Sequence, residues 1–562
     1  MLQRRHKRKA KERVDDDKPD RVSAIMETGM LLAECVQHDL KCIAFCKTRK
    51  LSELVLGYAR DFLDGIGSDR GNAIAAYRAG YSASHRREIE SSLFSGSLKG
   101  VAATNALELG IDVGALDVTL HLGFPGTISS LWQQSGRAGR REQRALSIYV
   151  AFNGALDQFF MRSPERLFSS SIEHAAIDSQ NPMLMEQHLA CASHEYPLMV
   201  DGEESDVTYF GSRVFQCVED LRKRRLVGRN PESAADPRWF YAGPAKRPAG
   251  QFSLRAIDET VWSVVNELSG EVVEEIEESK AFFQIYEGAV FMQQGRKYLC
   301  TKMHLKERKA SVREADLQYY TSIIHMDDIQ VTGGRGTSAY PDRPIVSAES
   351  AQIAYGSSAL LDPCKHCCTF TGFTKIKQST GESFDYVDIK GLPAIEYETV
   401  CTWLRVPDKA RALLERLGME FKAGVHAAAH ALLNVLPLYL MCNTADAGVE
   451  CPSPEETRWR PERLLIYDTQ PGGTGIAAQA QPLFGNLLRA ALELMEQCGC
   501  ESRGGCPDCI HSGQCSQYNA MLDKEAGMII LKVVLESEDA YLEGLRSQEE
   551  RAKDMHGGFS RG

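Results

Sequence analysis

The sequence contains no apolar run long enough to cross a membrane, because a membrane-spanning helix needs roughly 20 consecutive apolar residues. Its longest apolar runs, Val435–Met441 and Met528–Leu535, have the length of core segments. The first residues are basic and no apolar segment follows them, so we expect no secretory signal peptide. The chain has 562 residues, of which 43% are hydrophobic and 25% charged. This composition is typical of globular proteins, and the length predicts about three to five domains.

The sequence also lacks the net positive charge that is common in nucleic-acid-binding proteins. Its 65 Lys and Arg face 76 Asp and Glu, which gives a net charge of −11. Residues 1–13 carry +6, which leaves −17 for the remainder. Any nucleic-acid contact in the body of the chain must therefore come from local patches. Residues 1–22 are predicted to be a disordered basic tail, with a nuclear-localisation or nucleic-acid-binding arm as the alternative.

Cysteines are frequent, and their number, 17, is odd. Without a signal peptide, this number predicts free thiols in a reducing compartment. Cys506 and Cys509 form a CPxC knuckle that can present two thiolates to one metal ion, and Cys500 and Cys515 each lie six residues away. Four thiolates with no open position indicate a structural zinc ion, with Cys498 as the alternative first ligand. Buried free thiols are a poor alternative in so polar and glycine-rich a stretch.

Two further groups have some features of metal sites. The first is the CxxCC motif Cys364–Cys368, which contains His366. No second ligand pair lies near it in sequence, so reduced surface thiols are favoured over metal. The second is HAAAH, in which His426 and His430 lie one helical turn apart. Ala427 stands where the HExxH motif of metalloproteases has Glu, so a metalloprotease is excluded and a packing or capping role is favoured.

Helix-like and strand-like stretches alternate between residues 23 and 160. The strands are predicted at Lys41–Phe45, Ala73–Ala76, Gly100–Thr104, Leu116–Leu122 and Ala145–Phe152. The helices are predicted at Ile25–His38, Leu51–Phe62 and Ser84–Ser95. This alternation predicts a parallel α/β sheet with right-handed crossovers.

The composition of the rest of the chain predicts several further regions. A basic LRKRR segment at Leu221–Arg225, followed by RWFYAG, predicts a winged helix. Residues 340–400 are predicted to be irregular, and residues 401–535 helical apart from one glycine-rich turn. The predicted domain boundaries are 1–22 for the basic tail, 23–160 for the α/β domain, 161–250 for the helical and winged-helix-like region, 251–345 for a β-rich region, 346–545 for the cysteine-containing domain and 546–562 for a disordered tail.

The most specific segment is QQSGRAGRR, at Gln133–Arg141. Arg137 and Arg140 lie three residues apart on one face of a loop-to-helix turn, and the intervening glycine lets the backbone approach a ligand closely. Paired guanidinium groups suit a phosphoryl transition state, because its charge sits on equatorial oxygens. A solvated basic turn is the alternative for this segment taken alone.

Other candidate residues precede this segment in an ordered series. In ATNALELGIDVG, Thr104 follows a strand and can donate to a phosphate, and Gly110 and Asp112 form a turn that can hold a ribose or orient an arginine. Further upstream, CKTR places a hydroxyl and cations directly after a strand. The candidate DNA-contacting residues are Thr48, Arg49, Arg86, Arg87 and Thr104.

This ordered series resembles motifs IV, V and VI of superfamily 2 helicases. By this resemblance, residues 23–160 form the second RecA-like lobe, and Gln133, Arg137 and Arg140 have catalytic roles at an ATP held by the first lobe. Gly110 and Asp112 would lie toward the nucleotide, and Thr104 would lie on the nucleic-acid side. The sequence contains neither GxxxxGK[ST] nor a DExH or DEAD tetrapeptide, so we expect that the first lobe is missing and that these residues do not hydrolyse ATP alone.

The segments that follow widen the resemblance to residues 23–535. They are WLRVP at Trp403–Pro407, AGVHAAAHALLNVLPL, IYDTQPGGTG and the cysteine cluster. Together they resemble the DEAD/DEAH-box DNA helicases with a C-terminal MrfA-type zinc-binding domain. The resemblance implies an α/β and α+β multidomain chain: a RecA-like lobe, a winged-helix-like and β-rich region, and a mostly helical zinc-binding domain. Ala429 stands where we expect Glu in this family.

The resemblance also implies a function. Members are ATP-dependent, translocate 3′ to 5′ on single-stranded DNA and act in DNA repair, which implies a nuclear protein that uses ATP, Mg²⁺ and structural Zn²⁺. Its implied partners are single-stranded DNA, DNA forks and repair proteins. Two hypotheses stay open: the chain is the C-terminal part of such a helicase, or it is a non-catalytic DNA-binding or scaffold module. An upstream reading frame that encodes the phosphate-binding loop would favour the first.

Overall fold

The structure is a computed structural model, and it describes most of the chain beyond residue 22. The described residues are 23–78, 80–81, 83–108, 116–139, 144–169, 171–173, 178–201, 205–229, 237–250, 260–332, 358–378, 382–443, 445–451 and 463–557. Within these ranges, no helix combines the length and the apolar character needed to cross a membrane. The predicted tail 1–22 lies outside them. The predicted disordered tail 546–562 is wrong in part, because a helix continues to Gly557.

The first region is a five-stranded parallel sheet flanked by helices. Its strands are β1 Cys42–Cys46, β2 Ile74–Tyr77, β3 Gly100–Ala103, β4 Val118–Leu122 and β5 Leu146–Val150, in the order β2-β3-β1-β4-β5. The helices are α1 Ala24–Gln37, α2 Arg49–Gly65, α3 Ala83–Ser95 and α4 Ile128–Ser135. Every residue of β1 to β4 is buried, as expected for parallel strands covered on both faces. The predicted α/β sheet is confirmed.

A helical region with its own small core follows. It contains α5 Ala155–Arg162, α6 Glu165–Ser169, α7 Pro182–Glu195, α8 Val207–Phe210 and α9 Val214–Lys223, then the antiparallel pair β6 Val227–Arg229 and β7 Trp239–Tyr241. Asn181 caps α7 by accepting from the backbone N–H groups of Met183 and Leu184. The order of helices followed by a two-stranded ribbon agrees with the predicted winged helix.

Two antiparallel-rich sheets form the centre of the chain. The first consists of β8 Val261–Asn266, β9 Val272–Glu277, β10 Val290–Gln293, β11 Arg296–His304 and β12 Lys309–Glu314, with helix α10 Glu278–Gln284 between β9 and β10. The second consists of β13 Tyr319–Val331, β14 Leu360–Lys377, β15 Ser383–Asp388, β16 Ile395–Arg405, β17 Ala447–Val449 and β18 Arg463–Asp468. The predicted boundary at 345/346 lies outside the described residues, and the strands that precede and follow it in sequence, β13 and β14, pair in one sheet.

The prediction that residues 340–400 are irregular is wrong for the described part of that range. β14 alone is 18 residues long, and its even-numbered positions from Cys364 to Gly372 are all buried. This two-residue period is typical of a half-buried strand. The CxxCC spacing of this segment does not by itself indicate a strand, whereas the alternation of buried and exposed residues does.

Four helices follow the strands of this sheet or lie between them: α11 Asp408–Arg416, α12 Phe421–Val435, α13 Ile476–Gln497 and α14 Lys524–Gly557. Helices α12 and α13 pack on the sheet, and α11 and α14 pack against these helices. Helices α12 and α14 approach closely at two glycines. A Cβ added at Gly424 would lie 2.8 Å from Ile530 Cδ1, and one added at Gly527 would lie 3.0 Å from Ala427 Cβ. These glycines let the two helices pack at short range, which buries nearly all of α12.

A buried ion network joins the parallel sheet to the sheet that contains β9. Arg78 donates through Nε to Glu53 at 2.9 Å and through Nη1 to Glu274 at 2.6 Å, and all three side chains are at most 1% exposed. Tyr81 donates to the same carboxylate of Glu53 at 2.5 Å. Burial alone lowers the pKa of Arg78, but the charges of Glu274 and Glu53 raise it above its usual value. The guanidinium therefore stays charged inside the interface.

We expect the Arg78→Met substitution to destabilise the chain by about 3–5 kcal/mol, because it leaves the buried Glu53 without its ion-pair partner and Glu274 with Arg49 alone. The measurement is the urea midpoint of unfolding. Arg489→Met is the matched control, since Arg489 pairs with Asp539 at 2.8 Å while both side chains are more than half exposed; an exposed pair is worth about 0–1 kcal/mol. Equal midpoints for the two variants would contradict the assignment.

Candidate nucleotide and metal sites

Two predicted threonines lie at the same edge of the parallel sheet. Strands β1 and β3 are adjacent, with Phe45 opposite Ala103, so Thr48 and Thr104 follow them at the carboxyl edge. Thr48 caps α2, its hydroxyl accepting from the N–H of Leu51 at 3.2 Å. Thr104 is buried. This edge is where open parallel sheets bind ligands.

The predicted DNA-contacting arginines fall into two groups. Arg86 and Arg87 are exposed on α3. Arg49 is instead engaged inside the chain, because it donates to Glu274 at 2.8 Å. Its guanidinium therefore helps to hold the parallel sheet against β9, a role that sequence spacing did not reveal.

The QxxGRxGR segment begins on α4 and continues into the following turn. Gln133 is exposed on the helix. Arg137 is buried and donates through Nε to the backbone carbonyl of Glu108 at 2.8 Å. Gly139 has a φ of 80°, a left-handed conformation that favours glycine. The segment is therefore tied to the residues that follow Thr104 in the chain.

A buried hydrogen-bond network that the sequence analysis missed supports this contact. The carboxylate of Glu108 accepts from Ser130 Oγ at 2.9 Å and from Gln134 Nε2 at 3.0 Å. Gln134 Oε1 in turn lies 3.2 Å from Nδ1 of His121. Burial lowers the pKa of His121, so a neutral ring that donates through Nδ1 fits the network. The available signal in the sequence was Gln134, which directly follows Gln133 of the motif.

Three predicted site residues lie outside the described part of the chain. They are Gly110, Asp112 and Arg140. Their roles toward the nucleotide stay predictions based on the motif.

The basic LRKRR segment is largely neutralised by acidic neighbours. Arg222 pairs with Glu219 at 2.6 Å, and Lys223 pairs with Asp220 at 2.8 Å. Arg224 pairs with Glu186. These exposed pairs favour a solvated helix face over a phosphate-binding patch.

Four cysteines converge in the segment between α13 and α14. Their Sγ atoms all lie within 4.8 Å of one another, and they are Cys498, Cys500, Cys506 and Cys509. Three of the Sγ–Sγ distances are 3.5, 3.8 and 3.7 Å. A tetrahedral zinc ion with Zn–S bonds of about 2.3 Å requires sulfur–sulfur distances of about 3.8 Å. The four thiols therefore fit a zinc ion.

Donors placed around these sulfurs suit thiolates. The N–H of Cys506 points to Cys509 Sγ at 3.3 Å, and Lys524 Nζ lies 3.5 Å from Cys500 Sγ. Burial raises the pKa of the Cys506 thiol to about 11. A bound metal ion reverses this effect, since a coordinating thiol is deprotonated outright.

The structure separates Cys515 from the other three predicted zinc ligands. Cys498, held open as the alternative, occupies the fourth position with Cys500, Cys506 and Cys509. Cys515 lies 3.4 Å from His426 Nε2 instead. The reason is tertiary packing: Cys515 contacts His426 of α12, which is far from the cysteine cluster in sequence.

The CxxCC motif does not converge on one point, because it lies on the extended strand β14. Cys364 and Cys368 are buried on one face, whereas Cys367 lies on the other and contacts Glu396 at 3.6 Å. Of the three, only Cys368 belongs to a group of potential ligands, with His325 and Asp327. The prediction of surface thiols is wrong for Cys364 and Cys368.

Three sequence families match separate parts of the chain. Residues 21–142 match the helicase conserved C-terminal domain. Residues 177–257 match the winged helix domain of the ATP-dependent helicase HRQ1, and residues 428–510 match the MrfA Zn-binding domain. The three matches follow the order in which the structure places the parallel sheet, the helical region and the cysteine cluster.

Known proteins resemble the chain over nearly its whole length. The ATP-dependent helicases hrq1 of Schizosaccharomyces pombe and HRQ1 of Saccharomyces cerevisiae are each 30% identical, over 93% of this chain and 48% of their own length. A crystal structure of the DUF1998 helicase MrfA bound to DNA is 28% identical, with a TM-score of 0.62 over 91% of this chain and 64% of that one. Its three matched domains are those of superfamily 2 helicases with a C-terminal MrfA-type zinc-binding domain.

The chain spans about half the length of these two yeast relatives. The family match to a zinc-binding domain and the cysteine cluster together support a structural zinc ion. The cysteine cluster lies in the C-terminal half of the chain, far in sequence from the QxxGRxGR segment.

We expect Cys506→Ser or Cys509→Ser to lower the zinc content of the chain by one ion per molecule and to make residues 495–525 protease-sensitive. Metal binding supplies folding free energy to a segment that has little core of its own, whereas the parallel sheet should stay folded. Elemental analysis and limited proteolysis measure the two effects. Cys442→Ser removes a buried thiol outside the four-cysteine cluster and should change neither; unchanged zinc in all three variants would refute the site.

Proposed function

We propose that this chain supplies the second RecA-like lobe, the winged helix and the zinc-binding domain of an ATP-dependent helicase. In this proposal the helicase translocates 3′ to 5′ on single-stranded DNA and acts in DNA repair in the nucleus. The observation that carries the proposal is the QxxGRxGR segment, held against Glu108 beside the carboxyl edge of a parallel sheet. The likeness to HRQ1 and MrfA helicases over more than nine-tenths of the chain supports it.

In the proposed mechanism, Gln133, Arg137 and Arg140 face an ATP whose phosphates and Mg²⁺ are held by a first lobe. Guanidinium groups there stabilise the charge of the transferring phosphoryl group. Arg137 is anchored to Glu108, which sets the direction from which Gly139 and Arg140 approach the nucleotide. Gly110 and Asp112 would contact the nucleotide from the other motif.

On the DNA side, Thr48 and Thr104 share the sheet edge, and Arg86 and Arg87 are exposed on α3. These four residues are our proposed contacts with the phosphates of single-stranded DNA or a DNA fork. Arg49 is assigned to the contact with Glu274 instead. For the structural zinc ion we propose the four ligands Cys498, Cys500, Cys506 and Cys509.

A non-catalytic DNA-binding or scaffold role is the second candidate. The specific observation in its favour is that the 562 residues contain no GxxxxGK[ST] loop and no DExH or DEAD tetrapeptide. The two candidates differ in whether a first lobe must act together with this chain.

We expect the isolated chain to show no DNA-stimulated ATP hydrolysis, because nothing in its sequence forms the loop that holds the phosphates. Steady-state turnover in the presence of single-stranded DNA is the measurement, with Arg140→Ala as the control for a contaminating ATPase. Turnover of about 1 s⁻¹ or more that disappears in Arg140→Ala would show that these residues form a complete ATPase.

Binding to single-stranded DNA should weaken with salt, through the exposed arginines of α3. Each phosphate neutralised on a single strand contributes about 0.7 to the slope of log affinity against log salt. The double substitution of Arg86 and Arg87 by Ala should therefore reduce the slope by about 1.4. The matched control replaces Arg222 and Lys223, which are already paired, and should leave the slope unchanged. A slope that is reduced by replacing Arg222 and Lys223, and unchanged by replacing Arg86 and Arg87, would indicate that the DNA contacts α9 instead of α3.

A further inference from the structure

A second group of potential metal ligands lies beside the four-cysteine cluster. His426 and His430 project from α12, Cys451 follows β17, and Cys515 belongs to the irregular segment before α14. One donor atom from each of the four side chains lies within 4.8 Å of the other three. Both histidines are fully buried. Three segments that are far apart in sequence therefore meet at one point.

The distances in this group agree with tetrahedral coordination. Cys515 Sγ lies 3.4 Å from His426 Nε2, and Cys451 Sγ lies 3.4 Å from His430 Nε2. With Zn–S bonds of about 2.3 Å and Zn–N bonds of about 2.0–2.1 Å, a tetrahedral zinc site has sulfur–nitrogen distances of about 3.5 Å. The side chains are thus placed to accept the ion with little rearrangement.

The other ring nitrogens of both histidines contact backbone carbonyls. His430 Nδ1 lies 2.8 Å from the carbonyl oxygen of Ile510, and His426 Nδ1 lies 3.3 Å from that of Met521. A carbonyl only accepts, so each Nδ1 carries the proton and donates. Each Nε2 then directs a lone pair toward the thiols. This orientation by a backbone carbonyl is what metal-ligating histidines almost always show.

We propose that His426, His430, Cys451 and Cys515 bind a second zinc ion, with a structural role. Two neutral imidazoles and two thiolates around Zn²⁺ have no net charge, which suits a buried position. Four protein ligands leave no open position for water, so the ion is structural. The four-cysteine site, by contrast, carries a net charge of −2 when loaded and has Lys524 Nζ beside it.

The second ion would hold together parts of the fold that the first cannot reach. The four-cysteine site connects residues only within 498–509, whereas the second site connects α12, the end of β17 and residue 515. It thereby fixes the remainder of the irregular segment against the helices. His430, Cys451 and Cys515 also line a cavity of about 350 Å³, which gives a metal ion or a chelator a path to the site.

The first test is the zinc content of the full 562-residue chain. We expect two zinc ions per molecule in the wild type, and one after His426→Ala, Cys515→Ser or Cys506→Ser. Combining Cys515→Ser with Cys506→Ser should remove both ions, and the Cys442→Ser control should keep both. A wild type with a single zinc ion that Cys506→Ser loses and Cys515→Ser retains would overturn the proposal and leave the four side chains as a hydrogen-bonded core.

Cobalt substitution provides the second test and does not depend on how well a single variant folds. Co²⁺ in the Cys506→Ser chain should show a thiolate charge-transfer band from two sulfurs, and Co²⁺ in the Cys515→Ser chain the stronger band from four. Where Cys515→Ser does not fold, His430→Cys keeps four ligands and should retain two ions, with a band from three sulfurs at the altered site. A cobalt spectrum of the wild type that shows four-sulfur coordination alone would refute the second site.

Discussion

The C-terminal part of the molecule depends on one constraint: residues 498–523 contain no helix or strand, yet they pack into a buried core. Every residue of this segment is described, and several of its carbonyls contact side chains from outside it. Asn434 donates to the carbonyls of Cys509 and His511, and Lys524 donates to that of Cys498. These contacts position the segment, and metal ions bound by the thiol and imidazole clusters would cross-link it to the core. Without such cross-links, a segment so rich in glycine has too little apolar surface to order itself.

A different interaction sets the position of the parallel sheet. Arg78 and Glu53 belong to the sheet and its helix α2, while Glu274 belongs to β9. The ion pairs of Glu274 with Arg78 and Arg49 cross the contact between the two regions, and the buried carboxylate requires these counter-charges for as long as the contact is closed. Gly80 has a φ of 101°, and a Cβ there would lie 2.3 Å from Glu274 Oε1, so the backbone is shaped for this contact. The carboxyl edge of the sheet, where the nucleotide and DNA motifs lie, is thereby oriented relative to the rest of the chain.

Local patterns predicted the α/β region closely. Its strands are short apolar runs that alternate with helices along the chain, and all of them pair in parallel. The same reasoning failed on β14, where a conspicuous cysteine spacing obscured an alternation of buried and exposed residues. The same reasoning also missed Glu108 and Gln134, because the hydrogen bond between them joins residues 26 positions apart in sequence. The pairing of Cys515 with His426 spans 89 residues, and no spacing rule covers such a distance.

The sequence by itself determined the identity of the motifs, the parallel arrangement of residues 23–160 and the presence of a metal-binding cysteine cluster, since each of these rests on residues close together along the chain. The tertiary structure alone decided which cysteine completes that cluster, that Arg49 pairs with Glu274, and that His426, His430, Cys451 and Cys515 meet. The physical reason is that ligand geometry is a matter of distances of a few ångströms between donor atoms. Such distances depend on how α12, β17 and an irregular loop pack together, and packing is not encoded in the spacing of any one segment.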